Sequence, residues 1–157
     1  MSTILPQASA PAVTAAAGRP FTFNVRVYYE DTDAGGIVYY ANYLKFFERA
    51  RTEWLRAAGV EQRRLSEEFG LQFVVAELQC EYRQPARLDD WLSIDLRVQR
   101  AGRVSIVFAQ TAWRGADALA HATVKAACVD ARRLAPAPLP DALVAALRTL
   151  PGSLPAR

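Results

Sequence analysis

The 157-residue chain has one histidine, His121, and two cysteines, Cys80 and Cys128. With a single histidine and no CxxC pair, a zinc site is not expected. His121 falls in a strand pattern far along the chain from either cysteine, which leaves Ser- or Cys-nucleophile catalysis without support and reads as a structural or surface histidine. There is no GxSxG, no GxGxxG and no P-loop. No apolar run approaches the roughly 20 residues of a membrane helix. No block of five like charges occurs, which disfavours a nucleic-acid-binding tail. No internal repeat is visible. The opening stretch MSTILPQASAPAVTAAAGRP has no basic start and no compact apolar core, so a secretory signal is not expected and a cytoplasmic protein is. Lysine is scarce too: Lys45 and Lys125 are the only two among 19 cations, against 16 acids, for a net charge of +3. Arginine forks suit phosphate better than lysine does.

What remains is a globular composition, 52% hydrophobic and 22% charged. A chain of this length can bury roughly 70% of its unfolded surface, so it needs no disulfide or metal staple. Residues 1–20, rich in Ala, Pro and Ser, read as a flexible tail. Phe21, Phe23, Val25 and Val27 then alternate with polar residues, the pattern of a half-buried strand. After EDTDAGG, a turn-forming cluster, a helix is predicted over about residues 40–58. Its apolar face carries Tyr43, Leu44, Phe47, Ala50, Trp54, Leu55 and Ala58, with Lys45, Arg49 and Glu53 opposite. Glu48 and Arg51, three residues apart beside that face, are expected to pair. A shorter helix follows over 62–69.

Four strands come next. Val74, Ala76, Leu78, Cys80 and Tyr82 alternate with polar residues, as do Leu92, Ile94, Leu96 and Val98. Residues 104–113 and 119–129 complete the set, with turns at Ala101-Gly102 and Arg114-Gly115. Short turns imply antiparallel pairing. The fold class is therefore α+β, a five-stranded antiparallel sheet with one long helix on one face. The other sheet face must meet water or a partner subunit. The C-terminal stretch 135–157 reads as an extension with one short helix over 141–150.

The stretch from Tyr29 to Tyr43, YEDTDAGGIVYYANY, stands out. Three carboxylates and two glycines precede a helix, amid a dense run of tyrosines. Ten of the chain's sixteen aromatics lie between Phe21 and Trp54. Glycines let a ligand approach the main chain, and a helix start offers unpaired N–H groups. A carboxylate beside such donors could act as base or nucleophile while the donors hold an oxyanion. On pattern alone, a turn with acidic capping residues over an aromatic core accounts for the stretch as well.

The segment VRVYYEDTDAGGIVYYANYLKFFERAR resembles the signature of hotdog-fold acyl-CoA thioesterases. It is similar to the 4-hydroxybenzoyl-CoA thioesterase family, and most of all to that family's Tol-Pal-associated YbgC branch. The resemblance continues through EYRQPARLDDWLSIDLRV and VKAACVDARRLAPAPLP and covers about residues 21–140. It implies a single hotdog domain over 21–134, in which the sheet wraps the long helix, and hydrolysis of an acyl-CoA thioester. It places the attacking or water-activating carboxylate on Asp33 and a supporting turn role on Asp31. It also assigns the oxyanion-binding amide to Tyr40 and substrate contacts to Gly36, Val38 and Tyr39. Many members of the branch carry histidine where this chain has Tyr40. A tyrosine, with an ordinary pKa of about 10, does not substitute for it as an acid or base near neutral pH.

For the coenzyme A phosphates, the resemblance points to the hairpin after the third strand. Arg100, Arg103 and Ser105 are the candidates there, with Arg132 and Arg133 behind them. No metal or redox cofactor is implied; coenzyme A enters as half of the substrate. Family members pair edge to edge into dimers with sites at the interface, and dimers often pair again, so a homodimer or homotetramer is expected. A binding or scaffold subunit for acyl-CoA or acyl-carrier protein, peripheral at the inner membrane on an envelope complex, is the alternative.

Overall fold

The computed structural model describes residues 18–154. The predicted tail lies outside the described residues as far as residue 17. The elements run β1 (Phe21–Arg26), a short 3-10 turn (Tyr29–Asp31), α1 (Asn42–Ala57), α2 (Gln62–Phe69), β2 (Leu71–Tyr82), β3 (Trp91–Ala101), β4 (Ser105–Arg114), β5 (Asp117–Asp130) and α3 (Asp141–Ala146). The five strands form one antiparallel sheet in the order β1-β3-β4-β5-β2. The sheet curls around α1.

The period-2 patterns sort side chains as predicted. Leu92, Ile94, Leu96 and Val98 all face inward and are buried, as are Ile106, Phe108, Ala122 and Val124. Against them α1 lays Tyr43, Phe46, Phe47, Ala50, Trp54 and Leu55. Gly59, at φ +78°, lets the chain leave α1 in a left-handed turn, with the Val60 N–H reaching back to the Leu55 carbonyl at 2.9 Å.

Three expectations for α1 and the sheet change. First, α1 starts at Asn42 rather than Tyr40, because residues 37–39 are held by strand-like pairing: Ile37 bridges Arg87, Val38 bridges Thr32, and the Tyr39 N–H bonds the Asp31 carbonyl at 2.9 Å. Second, the alternation in β2 is broken. A bulge between Val75 and Glu77 gives the strand one extra residue, so Val75, not Val74 and Ala76, shares a face with Leu78, Cys80 and Tyr82. Third, Arg51 does not pair with Glu48. It is 9% exposed, and its Nη1 donates to the buried Gln110 Oε1 at 2.8 Å. Gln110 in turn donates to the Phe47 carbonyl at 2.9 Å. Glu48 accepts from the Thr52 hydroxyl at 2.6 Å instead. Burial pushes the Arg51 guanidinium pKa down, and the nearby Glu48 charge partly offsets it.

The C-terminal segment packs into the core. Its helix is shorter than predicted, ending at Ala146. Leu139, Leu143 and Leu147 are buried in one cluster with Trp54, Leu96, Val98, Ile106 and Phe108. Trp54 Nε1 donates to the Pro151 carbonyl at 3.1 Å. Gly152 sits between two strands: the Val98 N–H donates to its carbonyl at 2.6 Å, and its own N–H donates to the Arg19 carbonyl at 2.7 Å. The sheet therefore has two distinct ends. The C-terminal segment closes the end at the β3–β4 hairpin. The acidic turn after β1 occupies the other.

Candidate functional site

The site is built on the ten residues between the 3-10 turn and α1. The Asp33 N–H donates to the Ile37 carbonyl at 3.0 Å and the Gly36 N–H returns to the Asp33 carbonyl at 3.0 Å, which closes a tight turn. Gly36 has φ +76°, a conformation a side chain resists. At Gly35 an added Cβ would lie 3.1 Å from Asp33 Oδ1. Without it, the Gly35 N–H donates to that oxygen at 2.8 Å, an Asx-type turn that fixes the carboxylate's rotamer. Asp33 is exposed at the tip and makes no salt bridge among the described residues.

Asp31, two residues earlier, lives differently. It is 4% exposed. Its Oδ2 accepts the Tyr28 N–H at 2.8 Å and its Oδ1 accepts Asn42 Nδ2 at 2.8 Å. This carboxylate is consumed by hydrogen bonds and ties the turn to the first residue of α1.

Between turn and helix lies a short run of main chain with free donors. The Asn42 N–H donates to the Tyr39 carbonyl at 2.8 Å, fixing the peptide whose N–H belongs to Tyr40. The Tyr82 hydroxyl donates to the Tyr40 carbonyl at 2.8 Å, fixing the peptide whose N–H belongs to Ala41. Neither the Tyr40 nor the Ala41 N–H has an acceptor among the described residues. Both stand at the positive end of α1. Tyr40 itself is 61% exposed. The rings of Tyr39, Tyr40, Tyr82 and Tyr43, in that order, stack edge-on at centroid distances of 4.9, 6.2 and 5.5 Å into an aromatic wall. The Tyr40 hydroxyl, above all, and the Asp33 carboxylate, more weakly, hold the Tyr39 phenol above its ordinary value. Burial, with help from Cys80, pushes the Tyr82 phenol up, which keeps it a donor to Tyr40.

The single chain does not bring every predicted site residue together. Asp33, Gly36, Tyr39 and Tyr40 share one loop. Val38 is in that loop but buried, with its N–H bonded to the Ala86 carbonyl at 2.8 Å, so it anchors the loop and is shielded from a ligand. Arg100, Arg103 and Ser105 stand at the other end of the sheet, separated from Asp33's end by the run of β3, roughly 30 Å at about 3.3 Å per residue. Arg100 borders a groove of ≈ 630 Å³ on the outer sheet face, with Glu77, Gln79, Thr123 and Lys125. Sequence reasoning missed Asn42 and Tyr82. Asn42 carried a readable signal, since a buried amide at a helix start needs a partner. Tyr82 carried none, because its contact crosses 42 residues.

An acidic turn joined to a helix start with free amides, on a sheet wrapped around one helix, is the arrangement that the resemblance to hotdog thioesterases implies, and comparison shows the class. Residues 35–121 match the model of the thioesterase superfamily, and the chain belongs to that family. The match begins just after Asp33. Among individual relatives, the chain is 48% identical over 130 residues to the acyl-CoA thioesterase YbgC of Haemophilus influenzae, covering 83% of this chain and 96% of that one. It is 45% identical over 126 residues to the acyl-CoA thioester hydrolase YbgC of Escherichia coli, covering 80% and 93%. The crystal structure of a probable thioesterase from Bartonella henselae aligns with TM-score 0.72 at 35% identity, covering 76% of this chain and 98% of that one.

Proposed function

We propose that this chain, a thioester hydrolase by family, hydrolyses acyl-CoA to a free acid and coenzyme A with Asp33 and the Tyr40 amide as its working groups. The observation that carries this is the placement of an exposed, rotamer-fixed carboxylate and acceptor-free N–H groups on one short loop. The thioester carbonyl oxygen takes the Tyr40 N–H, and the dipole of α1 stabilises the charge that develops there. Asp33 then acts on the carbonyl carbon in one of two balanced ways. As general base it removes a proton from water, whose oxygen bonds the carbon; coenzyme A leaves as thiolate and takes up that proton. As nucleophile it forms a mixed anhydride while the thiolate leaves, and water hydrolyses the anhydride. Neither route calls on a histidine, a metal or a redox group.

The working form we assign is a homodimer paired through β2. Two features support this. The strand is an edge strand of 12 residues whose Val74, Val75, Leu78 and Tyr82 are exposed, a long apolar edge of the kind that pairs. Tyr82 also links that edge to Tyr40, so the site borders it. Antiparallel two-fold pairing sets the Leu71 end of one β2 beside the Tyr82 end of the other. That brings the partner's β3–β4 hairpin end to this chain's Asp33 end. Arg100 and Arg103 then serve the phosphates of a coenzyme A bound at the other protomer's site. Among the described residues, no helix is long and apolar enough to cross a membrane.

The test is thiol release from a panel of aromatic, short-chain and long-chain acyl-CoAs, with Asp33→Asn alongside. Turnover that falls by about 10³-fold or more in the variant is expected. Equal turnover in the variant overturns the roles given to Asp33. Acyl-CoA binding without turnover in the wild type overturns the hydrolytic reading and favours a carrier or scaffold.

A further inference from the structure

We infer that the Asp31–Asn42 side-chain pair is a positioning device that sets the spacing between the Asp33 carboxylate and the Tyr40 amide. The inference rests on the catalytic reading above. Its observation is separate: a buried carboxylate that contacts two neutral donors and, among the described residues, no cation.

A buried carboxylate without a cation costs stability, so what its bonds accomplish is the question. Asp31 Oδ2 takes the Tyr28 N–H, which holds the chain leaving β1. Its main-chain carbonyl takes the Tyr39 N–H, which closes the loop that bears Asp33. Its Oδ1 takes Asn42 Nδ2. Asn42, 5% exposed, reaches the other half of the site through its main chain, because its N–H fixes the Tyr39 carbonyl and so the plane of the Tyr40 amide. One charge-assisted bond between two buried side chains thus joins the turn carrying the carboxylate to the peptide carrying the oxyanion donor. The loop is exposed from Asp33 to Gly36, and its other restraints are the bonds of the turn itself and the anchoring of Ile37 and Val38 against Arg87 and Ala86, none of which reaches α1. Neither side chain need touch the substrate. Both act through the groups they place.

The pair has a chemical signature: the partners can be exchanged. In Asp31→Asn/Asn42→Asp the amide at 31 still accepts the Tyr28 N–H with its oxygen, while its Nδ2 donates to the carboxylate at 42. The carboxylate now sits at the start of α1, where the helix dipole favours it. In Asn42→Asp alone two carboxylates face each other, and in Asn42→Ala the bond is gone.

The experiment measures kcat, KM and thermal melting for the wild type, Asn42→Ala, Asn42→Asp, the exchanged double variant and Asp33→Asn. Asn42→Ala is expected to lose about 100-fold in kcat, the scale of a misplacement near 1 Å, with KM little changed. The exchanged pair is expected to regain most of that loss. A kcat for Asn42→Ala near the wild-type value, with Asp33→Asn inactive, overturns the proposal. So does an exchanged pair that regains melting temperature but not kcat, since that assigns the pair to folding alone. If Asn42→Asp does not fold, Asn42→Ala and the double variant still decide. An active Asp33→Asn overturns the catalytic reading instead.

Discussion

The two ends of the sheet are finished in opposite ways. At the β3–β4 hairpin end the chain supplies its own stopper. Leu139, Leu143 and Leu147 bury themselves against Trp54 and Phe108, and the Leu139 N–H bonds the Arg103 carbonyl at 2.9 Å. At the other end the chain leaves Tyr28, Tyr29, Tyr39, Tyr40 and Tyr82 exposed around an unpaired carboxylate and free amides. A chain able to bury leucines at one end does not leave five tyrosines at the other for want of apolar residues. The open end is where binding energy is held in reserve, and its exposed aromatics are the kind of surface that marks an interaction site. Each end has a buried cluster of its own; what differs is that the C-terminal leucines cap the closed end, while the proposed chemistry lies at the uncapped one.

If that division holds, substitutions at the two ends change different quantities. The largest effect belongs to Asp33→Asn, which removes turnover yet leaves the melting transition within about 0.5 kcal/mol of wild type, because Asp33 is exposed and an asparagine oxygen still accepts the Gly35 N–H. A large loss of stability would show that Asp33 belongs to the fold. Next come Val75→Lys and Leu78→Lys together on the edge strand. Light scattering is expected to show monomers, with turnover falling about 10²-fold as the partner's arginines leave the site. Dimers that persist would move the interface away from β2. Third is Gly152→Ala at the closed end. Gly152 has φ +78°, and an added Cβ would run into the Leu96 carbonyl, so the variant is expected to lose roughly 2–4 kcal/mol on denaturant unfolding. The turnover of its folded fraction should be unchanged.

The sequence disclosed these two ends unequally. Strands and helices were legible because burial imposes periodicity: Leu92 to Val98 alternate, and α1 repeats its apolar residues at helical spacing. The loop that gathers Asp33, Gly36 and Tyr40 was marked by a resemblance carried by one long motif. What stayed hidden is what depends on a partner distant in sequence. Arg51 turned to Gln110, 59 residues away, rather than to Glu48, three residues away. A helical spacing allows a local pair, while burial against β4 decides which partner is met. The bulge in β2 was hidden for a related reason, since Val74, Val75 and Ala76 are all apolar and no polar residue marks the slip. The C-terminal stopper read as an extension with a short helix because Leu139, Leu143 and Leu147, spaced by four, mark one apolar helical face but do not say which distant cluster that face meets.

The smallest expected effect is also the sharpest probe of whether the ends are independent, because α1 runs through both. Its first residues stand beside the Tyr40 amide, and Trp54 near its far end donates to the Pro151 carbonyl. Trp54→Phe keeps a ring edge-on to Phe108 but deletes the indole N–H, leaving a buried carbonyl short of a donor. The expected cost is about 1–2 kcal/mol in unfolding, with kcat at 25 °C unchanged. A drop in kcat without a drop in melting temperature would mean that strain at the stopper is transmitted along about three turns of helix to the amide. In that case α1 would be a lever between the two ends. Unchanged kcat beside lowered stability leaves α1 a rigid strut, with the site set locally by Asp31, Asn42 and Tyr82.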